Sequence, residues 1–373
     1  MELSLTPAQE ARRDAARAFA EQVLSLRAAE FEREERVPQE IYSELAERGL
    51  MAVNLPEELG GSDAGVVAYA LSMMEIARGC ASTAVTMAVT NMVGEVIARF
   101  GTEAQRARYC PLLAAGRHGA FALSEVDAGS DPGAMRTRAR RDGDDWILDG
   151  TKQWISHGDS SAVLVVWART GEDGPKGLSC FLVPEDAEGL VVDKHEDKMG
   201  LRGSHTCALA FSDLRLPADA LLGEQGAGFP IAMMALDGGR IGIASQALGI
   251  AQAAHDFALA YLKQCPERAA EQDAQFLLAD MRTRLAAGRL LVLRAALLKE
   301  RHQPFSREAS MAKLYATEGA FRVTQMALSL VGAEAESARM PLERHMRDVR
   351  VTRIYEGTSE VQRIVIARHV LSA

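Results

Sequence analysis

Three long segments in the second half of the chain carry apolar residues at helical spacing, over residues 229–263, 268–301 and 306–331. The connections between these segments are short, and a further helical pattern follows over residues 359–371. Long helices joined by short connections are typical of antiparallel bundles. We therefore expect a C-terminal four-helix bundle domain over residues 223–373.

The first 116 residues also predict helices. Thr6-Pro7-Ala8-Gln9 and Thr102-Glu103-Ala104-Gln105 both have the pattern of a capping box, in which Thr and Gln satisfy the first free N–H groups of a helix. Two segments between them, 66–79 and 82–100, are apolar and rich in Met, as expected of buried helices. This part is predicted to be an N-terminal all-α domain.

Short strand-like runs separated by Gly, Pro and Asp occupy the middle of the chain. The clearest are 162–168, 178–183 and 206–211, and Asp142-Gly143-Asp144-Asp145 predicts a turn before another. We expect a middle antiparallel β domain over residues 117–222. The fold class is therefore α+β, with the order helical, β, helical.

Composition limits the function. The 373 residues are 48% hydrophobic and 25% charged, as in ordinary globular proteins, and the net charge of −9 argues against a general nucleic-acid or anionic-membrane binder. No apolar run approaches the ~20 residues that span a bilayer. The five cysteines are scattered without metal-ligand spacing, so we expect no metal site and buried thiols in a reducing cytoplasm.

Glu356 lies between an aromatic residue and a glycine, in Ile354-Tyr355-Glu356-Gly357-Thr358-Ser359-Glu360. Gly357 permits close approach of a ligand to the backbone, and the helix start at Thr358 could hold an anion. From this stretch alone, an ordinary acid at a helix start is the simpler interpretation. Two distant stretches change that balance: Phe121-Ala122-Leu123-Ser124-Glu125-Val126-Asp127-Ala128-Gly129-Ser130-Asp131 and Gly150-Thr151-Lys152-Gln153-Trp154-Ile155-Ser156.

Together and in this order, the three stretches resemble the acyl-CoA dehydrogenase family of flavoproteins, and the resemblance covers nearly the whole chain. It implies that a base removes the proton next to a thioester carbonyl while hydride passes to N5 of FAD. Glu356 matches the family's base. Some relatives carry the base on a bundle helix immediately before an arginine, where this chain has Gly239, and that absence favours Glu356.

The resemblance also implies binding residues. Ser124 would bond the flavin pyrimidine, Trp154 would pack on the ring, and Ser156 would contact N5. The full implied FAD-binding set is Phe121, Leu123, Ser124, Gly129, Ser130, Trp154, Ile155, Ser156, Thr358 and Glu360. The implied substrate-binding set is Ser130, Asp237, Gly238, Arg240 and Gly357. From the residues alone, Asp237 and Arg240 could equally be a structural ion pair in a helix.

Two stretches depart from the family pattern where it binds the FAD of a neighbouring subunit. Residues 261–270 lack the family's Arg and Gln-Phe-Gly turn, and residues 329–334 lack its Gln and one glycine of a pair. We therefore expect looser FAD binding and a homodimer rather than the usual tetramer. The family's electron acceptor, an electron-transfer flavoprotein, is an expected partner.

A basic run, Arg136, Arg138, Arg140 and Arg141, stands in an otherwise acidic chain. A solvated strand face is the simpler interpretation, and a dock for CoA phosphates or for an acyl carrier protein is the functional one. A subgroup of the family that acts on carrier-bound thioesters in polyketide (methoxymalonyl-type) extender-unit synthesis resembles this chain in size. The two departures and the high Ala and Arg content favour that subgroup.

The leading hypothesis is an FAD-dependent dehydrogenase of a small acyl thioester, with an acyl carrier protein as a candidate carrier of the acyl group. A catabolic short-chain acyl-CoA dehydrogenase is the alternative. A flavin monooxygenase and a binding protein without flavin are further candidates, of which retention of Glu356 disfavours the first.

Overall fold

The computed structural model describes residues 4–338 and 340–372, with Glu336 described by its backbone alone. Helices occupy both ends of the chain and a sheet occupies the middle, which confirms the expected order. The first six helices are α1 (Pro7–Phe19), α2 (Ser25–Arg33), α3 (Gln39–Glu47), α4 (Gly65–Gly79), α5 (Ala81–Phe100) and α6 (Glu103–Ala114), with a π-helical turn at Ala20–Leu24 between α1 and α2.

Both predicted capping boxes form. The Thr6 hydroxyl accepts from Gln9 N at 3.2 Å, and the Thr102 hydroxyl accepts from Gln105 N at 3.2 Å, so α1 and α6 begin where the sequence predicts. Between these helices, α4 and α5 are buried over most of their length.

The prediction that no apolar run has the length to span a bilayer is wrong for α5. By length and composition this helix, Ala81–Phe100, could cross a membrane, but 89% of its apolar window is buried inside the protein. It is therefore a core helix in this fold.

One eight-stranded sheet forms the middle of the chain. Its strands are β1 (His118–Ala122), β2 (Arg138–Asp142), β3 (Asp145–Ser156), β4 (Ser161–Arg169), β5 (Leu178–Pro184), β6 (Leu190–His195), β7 (Thr206–Leu216) and β8 (Leu221–Leu222). The strand order is β6-β7-β3-β2-β4-β5-β8, and β1 lies beside β4.

The sheet is mixed rather than purely antiparallel, which corrects the prediction. β1 pairs with β4 in parallel, from His118 opposite Ser161 to Ala122 opposite Val166, and β2 meets β4 in parallel at Arg138 and Arg169. The connection from β1 to β2 leaves these two strands running in the same direction, and the reversals before and after β3 then make β4 parallel to both. Turn signals in a sequence locate the hairpins but leave such a long-range pairing open.

The remaining chain is helical: α7 (Gly228–Gln264), α8 (Pro266–Ala270), α9 (Gln272–Glu300), α10 (Ser306–Val331), α11 (Pro341–Arg350) and α12 (Ser359–Leu371). α10 packs against α7, α9, α11 and α12, so it is the central helix of the bundle. Short 3₁₀ turns lie at Glu57–Leu59, Pro132–Ala134, Pro175–Gly177, Ala218–Ala220, Ala333–Glu336 and Val351–Arg353.

A single hydrophobic cluster joins the three parts. It runs from Leu123 and Trp167 of the sheet region through Met92 of α5 to Ile241 and Ala244 of α7. Trp167 also donates from Nε1 to the carbonyl of Gly228 at 2.7 Å, which ties the sheet to the start of α7. The domain boundaries at residues 116 and 222 stay a prediction, although helix changes to strand, and strand to helix, close to both.

Candidate active site

The loop before α12 places Glu356 against the middle of α7. Glu356 and Gly357 both have left-handed backbone conformations, with φ of 56° and 90°. Glycine adopts this conformation freely and glutamate does not, so surrounding contacts must hold it. The carboxylate faces Gly239: a Cβ placed on that glycine would lie 2.6 Å from Glu356 Oε2 and 3.1 Å from the sulfur of Met92.

The Glu356 carboxylate is shielded from solvent on one side. Its Oε2 atom is buried and has no hydrogen-bond partner among the described residues. Burial raises the pKa of Glu356 to about 7, against the opposing effect of the positive charges of Lys313 and Arg240. A carboxyl group with this pKa can accept and release a proton near neutral pH.

Three side chains fix the loop around Glu356. Lys313 Nζ donates to the carbonyl of Gly357 at 2.6 Å, and Gln362 Nε2 donates to the same carbonyl at 2.8 Å and to that of Glu356 at 3.2 Å. Tyr355 donates its hydroxyl to Gln246, which in turn donates to the carbonyl of Ala81 at 2.9 Å. The loop is therefore held from α10, α12 and α7.

Asp237 and Arg240 form an ion pair on α7, one turn apart. Arg240 also donates to Ser310 Oγ at 3.2 Å, and Ser306 Oγ donates to Asp237 at 2.9 Å. Burial lowers the pKa of Arg240, while Asp237 and then Glu356 raise it. The ion pair that the sequence suggested is present in the helix interior, and the same arginine lies close enough to Glu356 to affect its charge.

Gly238 faces a different group from its neighbour. A Cβ there would lie 2.7 Å from Lys299 Nζ, whose ammonium pairs with Glu95 at 2.6 Å. The two adjacent glycines therefore leave room for two separate charged side chains. Of the predicted substrate residues, Gly357 follows Glu356 directly and Arg240 lies close enough to affect its pKa, whereas Asp237 pairs with Arg240 and Gly238 faces Lys299.

Thr358 is the N-cap of α12, because its hydroxyl accepts from Val361 N at 3.3 Å. The next residue, Ser359, donates to Glu318 at 2.6 Å, and Glu360 is exposed. The predicted helix bounds are confirmed. Val361, Ile364, Val365 and Leu371 recur at helical spacing and predict one buried face. That prediction is wrong: Ser359 and Gln362 are buried, whereas Ile364 is 50% and Leu371 87% exposed.

A second group of predicted residues meets at the end of β3. Trp154 is 60% exposed and has a left-handed backbone, with φ of 63°. The β3–β7 register shifts between Lys152 and Ile155, so Trp154 lies on a β-bulge. Bulges redirect side chains and occur frequently beside active sites. Gln153 N donates to the carbonyl of Ser124 at 2.9 Å, which brings the loop after β1 next to this bulge.

A buried ion pair fixes this loop to β3. Lys152 is almost fully buried and donates to Glu125 at 2.8 Å and to the carbonyl of Leu123 at 3.1 Å. Glu125 accepts in addition from the backbone N–H groups of Arg136 and Thr137, at 2.6 and 3.1 Å. Burial lowers the pKa of Lys152 to about 8, while Glu125 opposes that change. The sequence motifs contain both residues, but their pairing was not predicted.

The other predicted flavin residues differ in what they can offer. Leu123 and Ile155 are buried in hydrophobic clusters, so they can present backbone atoms but not side chains. The ring of Phe121 packs on Trp167, with centroids 4.4 Å apart. Gly129 and Ser130 are exposed, and a Cβ placed on Gly129 would meet no atom of the described residues within 4 Å.

This arrangement fits a planar aromatic ligand such as an isoalloxazine ring. An exposed indole on a strained backbone costs free energy on its own, and a ring stacked on it would remove apolar surface from water. Half-buried Ser124 and Ser156 lie on either side of the bulge and carry hydroxyl and backbone donors for polar ring edges. The residues therefore suit FAD.

The arginine run is only partly a strand face. Arg138 and Arg140 are exposed on β2 with Ala139 buried between them, while Arg136 precedes the strand. Arg136 lies 3.6 Å from Asp127 and Arg140 lies 3.3 Å from Asp213. Arg141 stacks over Trp146 at 4.0 Å. Neighbouring acidic side chains and an aromatic ring thus offset part of the positive charge of the arginine run.

Asp159, His195 and Cys207 have ligand atoms within 4.8 Å of one another at the β6–β7 edge. Asp159 already accepts from His205 at 2.7 Å, and Ser160 donates to it at 3.0 Å. Burial raises the pKa of Cys207 to about 12, so the thiolate that a metal requires is disfavoured. The contacts describe an ion-paired strand edge.

The two stretches that depart from the family pattern lie at helix ends. Residues 261–270 contain the end of α7 and the short helix α8, and residues 329–334 contain the end of α10 and a turn at Gly332, with φ of 83°.

Sequence reasoning missed Lys313 and Gln362. Lys313 follows Ala309 and Ala312 and precedes Ala316 at the spacing of one buried helix face, and this pattern could have revealed a buried lysine. Gln362 had no comparable signal. Its polar side chain lies on the buried face of α12, whereas the apolar residues of this helix point to a different face.

Comparison with known proteins agrees with this geometry. Family models match in sequence order: the acyl-CoA dehydrogenase N-terminal domain at residues 6–117, the middle domain at 120–214 and the C-terminal domain at 226–371. The chain is 48% identical over 369 residues to the mitochondrial short-chain specific acyl-CoA dehydrogenase of Bos taurus, covering 97% of this chain and 89% of that protein.

Solved structures are similar over their whole length. Butyryl-CoA dehydrogenase from Megasphaera elsdenii superposes with a TM-score of 0.96 at 38% identity, and both chains are fully covered. A chain in the structure of the electron transferring flavoprotein of Acidaminococcus fermentans superposes with a TM-score of 0.97, also at 38% identity and full coverage. The chain therefore belongs to the acyl-CoA dehydrogenase family, FAD-binding oxidoreductases that act on the CH–CH group of their donors.

Proposed function

We propose that this protein is a short-chain acyl-CoA dehydrogenase with Glu356 as its catalytic base. The observation that carries the proposal is the Glu356 carboxylate, which has a buried, unpartnered Oε2 and a pKa raised to about 7 by burial. Relatives with short-chain and butyryl-CoA names support the chain length. This choice replaces carrier-protein chemistry as the leading hypothesis, since the comparisons favour the CoA alternative.

Glu356 would take the proton next to the thioester carbonyl. A buried carboxylate gains basicity when substrate displaces the remaining water, because desolvation disfavours its charge. No acceptor is recorded among the described residues for the backbone N–H of Glu356, so this donor is free to bond the negative oxygen that develops on the substrate. Its left-handed backbone holds the N–H and the carboxylate on one short loop.

The FAD-binding role falls to the β3 bulge and the loop after β1. Bound FAD would accept the hydride that leaves the substrate β-carbon. Trp154 would cover one face of the ring, and Ser124 and Ser156 would bond its polar edges. Leu123 and Ile155 would contribute backbone atoms, and the Lys152–Glu125 pair would keep the two segments together. Phe121, Gly129, Ser130, Thr358 and Glu360 complete the proposed FAD set.

The substrate-binding role falls to α7 and the Glu356 loop. Asp237, Gly238, Arg240 and Gly357 would flank the thioester, with Ser130 approaching from the loop after β1. The electron acceptor that we propose is an electron-transfer flavoprotein, in agreement with the similar chain in such a structure. A cytoplasmic location remains the proposal made from the scattered cysteines.

The test is anaerobic bleaching of the bound flavin by defined substrates. Purified protein is mixed with butyryl-CoA, octanoyl-CoA and palmitoyl-CoA, and flavin absorbance is followed by stopped flow. We expect fastest reduction by butyryl-CoA. Absence of bound flavin, or no bleaching by any of the three, would contradict the proposal, and fastest reduction by palmitoyl-CoA would contradict the chain length.

Carriage of the acyl group on a carrier protein is the competing possibility, motivated by exposed Arg138 and its neighbours. The same butyryl group is therefore offered on CoA and on acyl carrier protein. We expect CoA to be preferred. A preference for the carrier-bound group that disappears when Arg136, Arg138 and Arg140 are replaced together by Ser would restore the carrier-protein hypothesis.

A further inference from the structure

Lys313 is a fully buried lysine at the centre of the bundle. It lies on α10 between Ala309, Ala312 and Ala316, all buried, and its side chain is inaccessible to solvent. Burying an ammonium group costs several kcal/mol unless it is paired and hydrogen-bonded. Burial lowers the pKa of Lys313 to about 7, and the negative charge of Glu356 opposes that change most strongly.

The hydrogen bond recorded for Lys313 is to a neutral group. Its Nζ donates to the carbonyl of Gly357 at 2.6 Å, one residue after Glu356. Arg240, the other cation near Glu356, is already paired with Asp237 and bonded to Ser310. Lys313 thus holds the loop through a hydrogen bond to a backbone carbonyl, and its positive charge interacts with the Glu356 carboxylate.

Gln362 offers an internal comparison. Its amide donates to the same Gly357 carbonyl at 2.8 Å and to that of Glu356 at 3.2 Å. Both side chains are fully buried and hold the same left-handed loop. The two side chains differ in charge. Replacing Gln362 removes hydrogen bonds to the loop, whereas replacing Lys313 removes both a hydrogen bond to the loop and a positive charge.

Other ionisable groups around this pair come from several elements. Arg240 of α7 acts on both Glu356 and Lys313, and Glu318 of α10 and Glu360 of α12 raise the pKa of Lys313. Tyr69 of α4 and Tyr355 of the loop are neutral groups whose pKa values burial raises, with the charge of Glu356 adding to the rise. Lys313 is the cation in this set without a carboxylate hydrogen bond of its own.

We propose that Lys313 is a positioning residue that sets both the geometry and the proton affinity of Glu356: it holds the Gly357 carbonyl and increases the ionised fraction of the carboxylate between turnovers. The proposal rests on the role of Glu356 as base. When Glu356 takes a substrate proton, the Lys313 charge remains and opposes retention of that proton, which favours its release before the next turnover.

The experiment compares Lys313→Met with Gln362→Met as a matched control. Flavin reduction by butyryl-CoA is measured by anaerobic stopped flow from pH 5.5 to 9.5. Loss of a neighbouring opposite charge raises the pKa of a carboxyl group by about one unit or more. We therefore expect the profile of Lys313→Met to move upward by at least that much, and Gln362→Met to slow reduction at every pH without moving the profile. Lys313→Arg should restore the wild-type profile.

A second measurement does not depend on activity. Thermal unfolding midpoints are compared for wild type, Lys313→Met, Glu356→Gln and the double variant at pH 5 and pH 7. We expect the two changes to be non-additive at pH 7, where the Glu356 carboxylate and the Lys313 ammonium are both populated, and additive at pH 5, where Glu356 is protonated. Flavin content and circular dichroism show whether each variant folds.

The outcomes separate this proposal from the proposed function. If acyl-CoA substrates fail to reduce the wild type but the coupling at pH 7 is present, the activity is wrong and the Lys313–Glu356 interaction stands. An unmoved pH profile in Lys313→Met, or additive midpoints at both pH values, overturns the Lys313 proposal whatever the substrate is.

Discussion

At the scale of single residues, Glu356 is governed by two opposing effects. Burial makes its charged form costly, and the cations Lys313 and Arg240 make it less so. The balance leaves the carboxyl group with a pKa of about 7, so that modest changes around it alter the fraction available as base. Two predictions follow from this residue and a third from Ser156.

Replacing Glu356 by Gln should leave the fold and bound FAD intact and slow flavin reduction by at least ~10²-fold, since the amide keeps the size and loses the basicity. Anaerobic reduction by butyryl-CoA measures the loss, and bound flavin absorbance is the control. Reduction at a near-normal rate would remove Glu356 from the role of base.

We expect the rate of flavin reduction to rise with pH and the stability contributed by Glu356 to fall with pH. Reduction by the wild type should increase as pH rises through about 7, because only the ionised carboxylate accepts a proton. Because the folded pKa lies above the ordinary value near 4.5, Glu356 contributes stability that is present below pH 4.5 and is lost as pH rises through 7. Glu356→Gln should therefore lose less of its unfolding temperature between pH 5 and pH 8 than the wild type, and an equal loss would contradict the raised pKa.

Ser156 ends β3 two residues after the exposed Trp154, and its hydroxyl is the predicted partner of flavin N5. Ser156→Ala should shift the flavin reduction potential and slow reduction while butyryl-CoA still binds. Spectroelectrochemical titration and stopped flow measure the two effects. An unchanged potential and an unchanged rate would place Ser156 outside the site.

At the scale of elements, the glycine pair of α7 gives a matched test of the site. Glycine in a helix interior is less stable than alanine by up to ~1 kcal/mol, so Gly→Ala changes are favourable where there is room. Gly239→Ala would put a Cβ 2.6 Å from Glu356 Oε2, and Gly238→Ala would put one 2.7 Å from the flexible end of Lys299. We expect Gly239→Ala to reduce the rate at least ~10-fold through a displaced base and Gly238→Ala to have the smaller effect. The rate of flavin reduction in both variants measures this, and equal effects would contradict it.

Elements also show where sequence reasoning succeeds. The capping boxes at Thr6 and Thr102 were predictable because a cap is a local pattern, and the helix start at Thr358 was too. The buried face of α12 was not, because a period of 3.6 shows that a face exists without showing what it packs against. Lys152–Glu125 and Lys313–Gly357 join residues 27 and 44 positions apart, and nothing local specifies such pairs.

At the scale of the whole molecule, the order of the three parts was predictable and the parallel β1–β4 pairing was not, since it depends on how distant segments meet. Exposed apolar side chains of the single chain bear on how the protein assembles. Ile364 and Leu371 of α12 and Phe276 of α9 are large, apolar and exposed in the single chain. Exposed apolar surface of this kind is typical of protein interfaces.

We expect a homodimer, with the departures at residues 261–270 and 329–334 weakening any larger assembly. Light scattering on the purified protein measures the mass, and dialysis measures the retention of FAD. Replacing Ile364 and Leu371 together by Glu should increase the monomer fraction. A stable tetramer, or a monomer with unchanged activity, would contradict the prediction.

The close approach of Gly239 to Glu356 restricts how this enzyme type can change over evolutionary time. Relatives that carry the base on the helix have a side chain at the position of Gly239. In this chain a Cβ at that position would lie only 2.6 Å from Glu356 Oε2. A side chain on the helix would force the flexible end of Glu356 out of its present position, and a protein with a carboxylate at neither position would have no base there. Paired substitutions therefore favour a move of the base from the loop to the helix, because each position restricts which residues the other can tolerate.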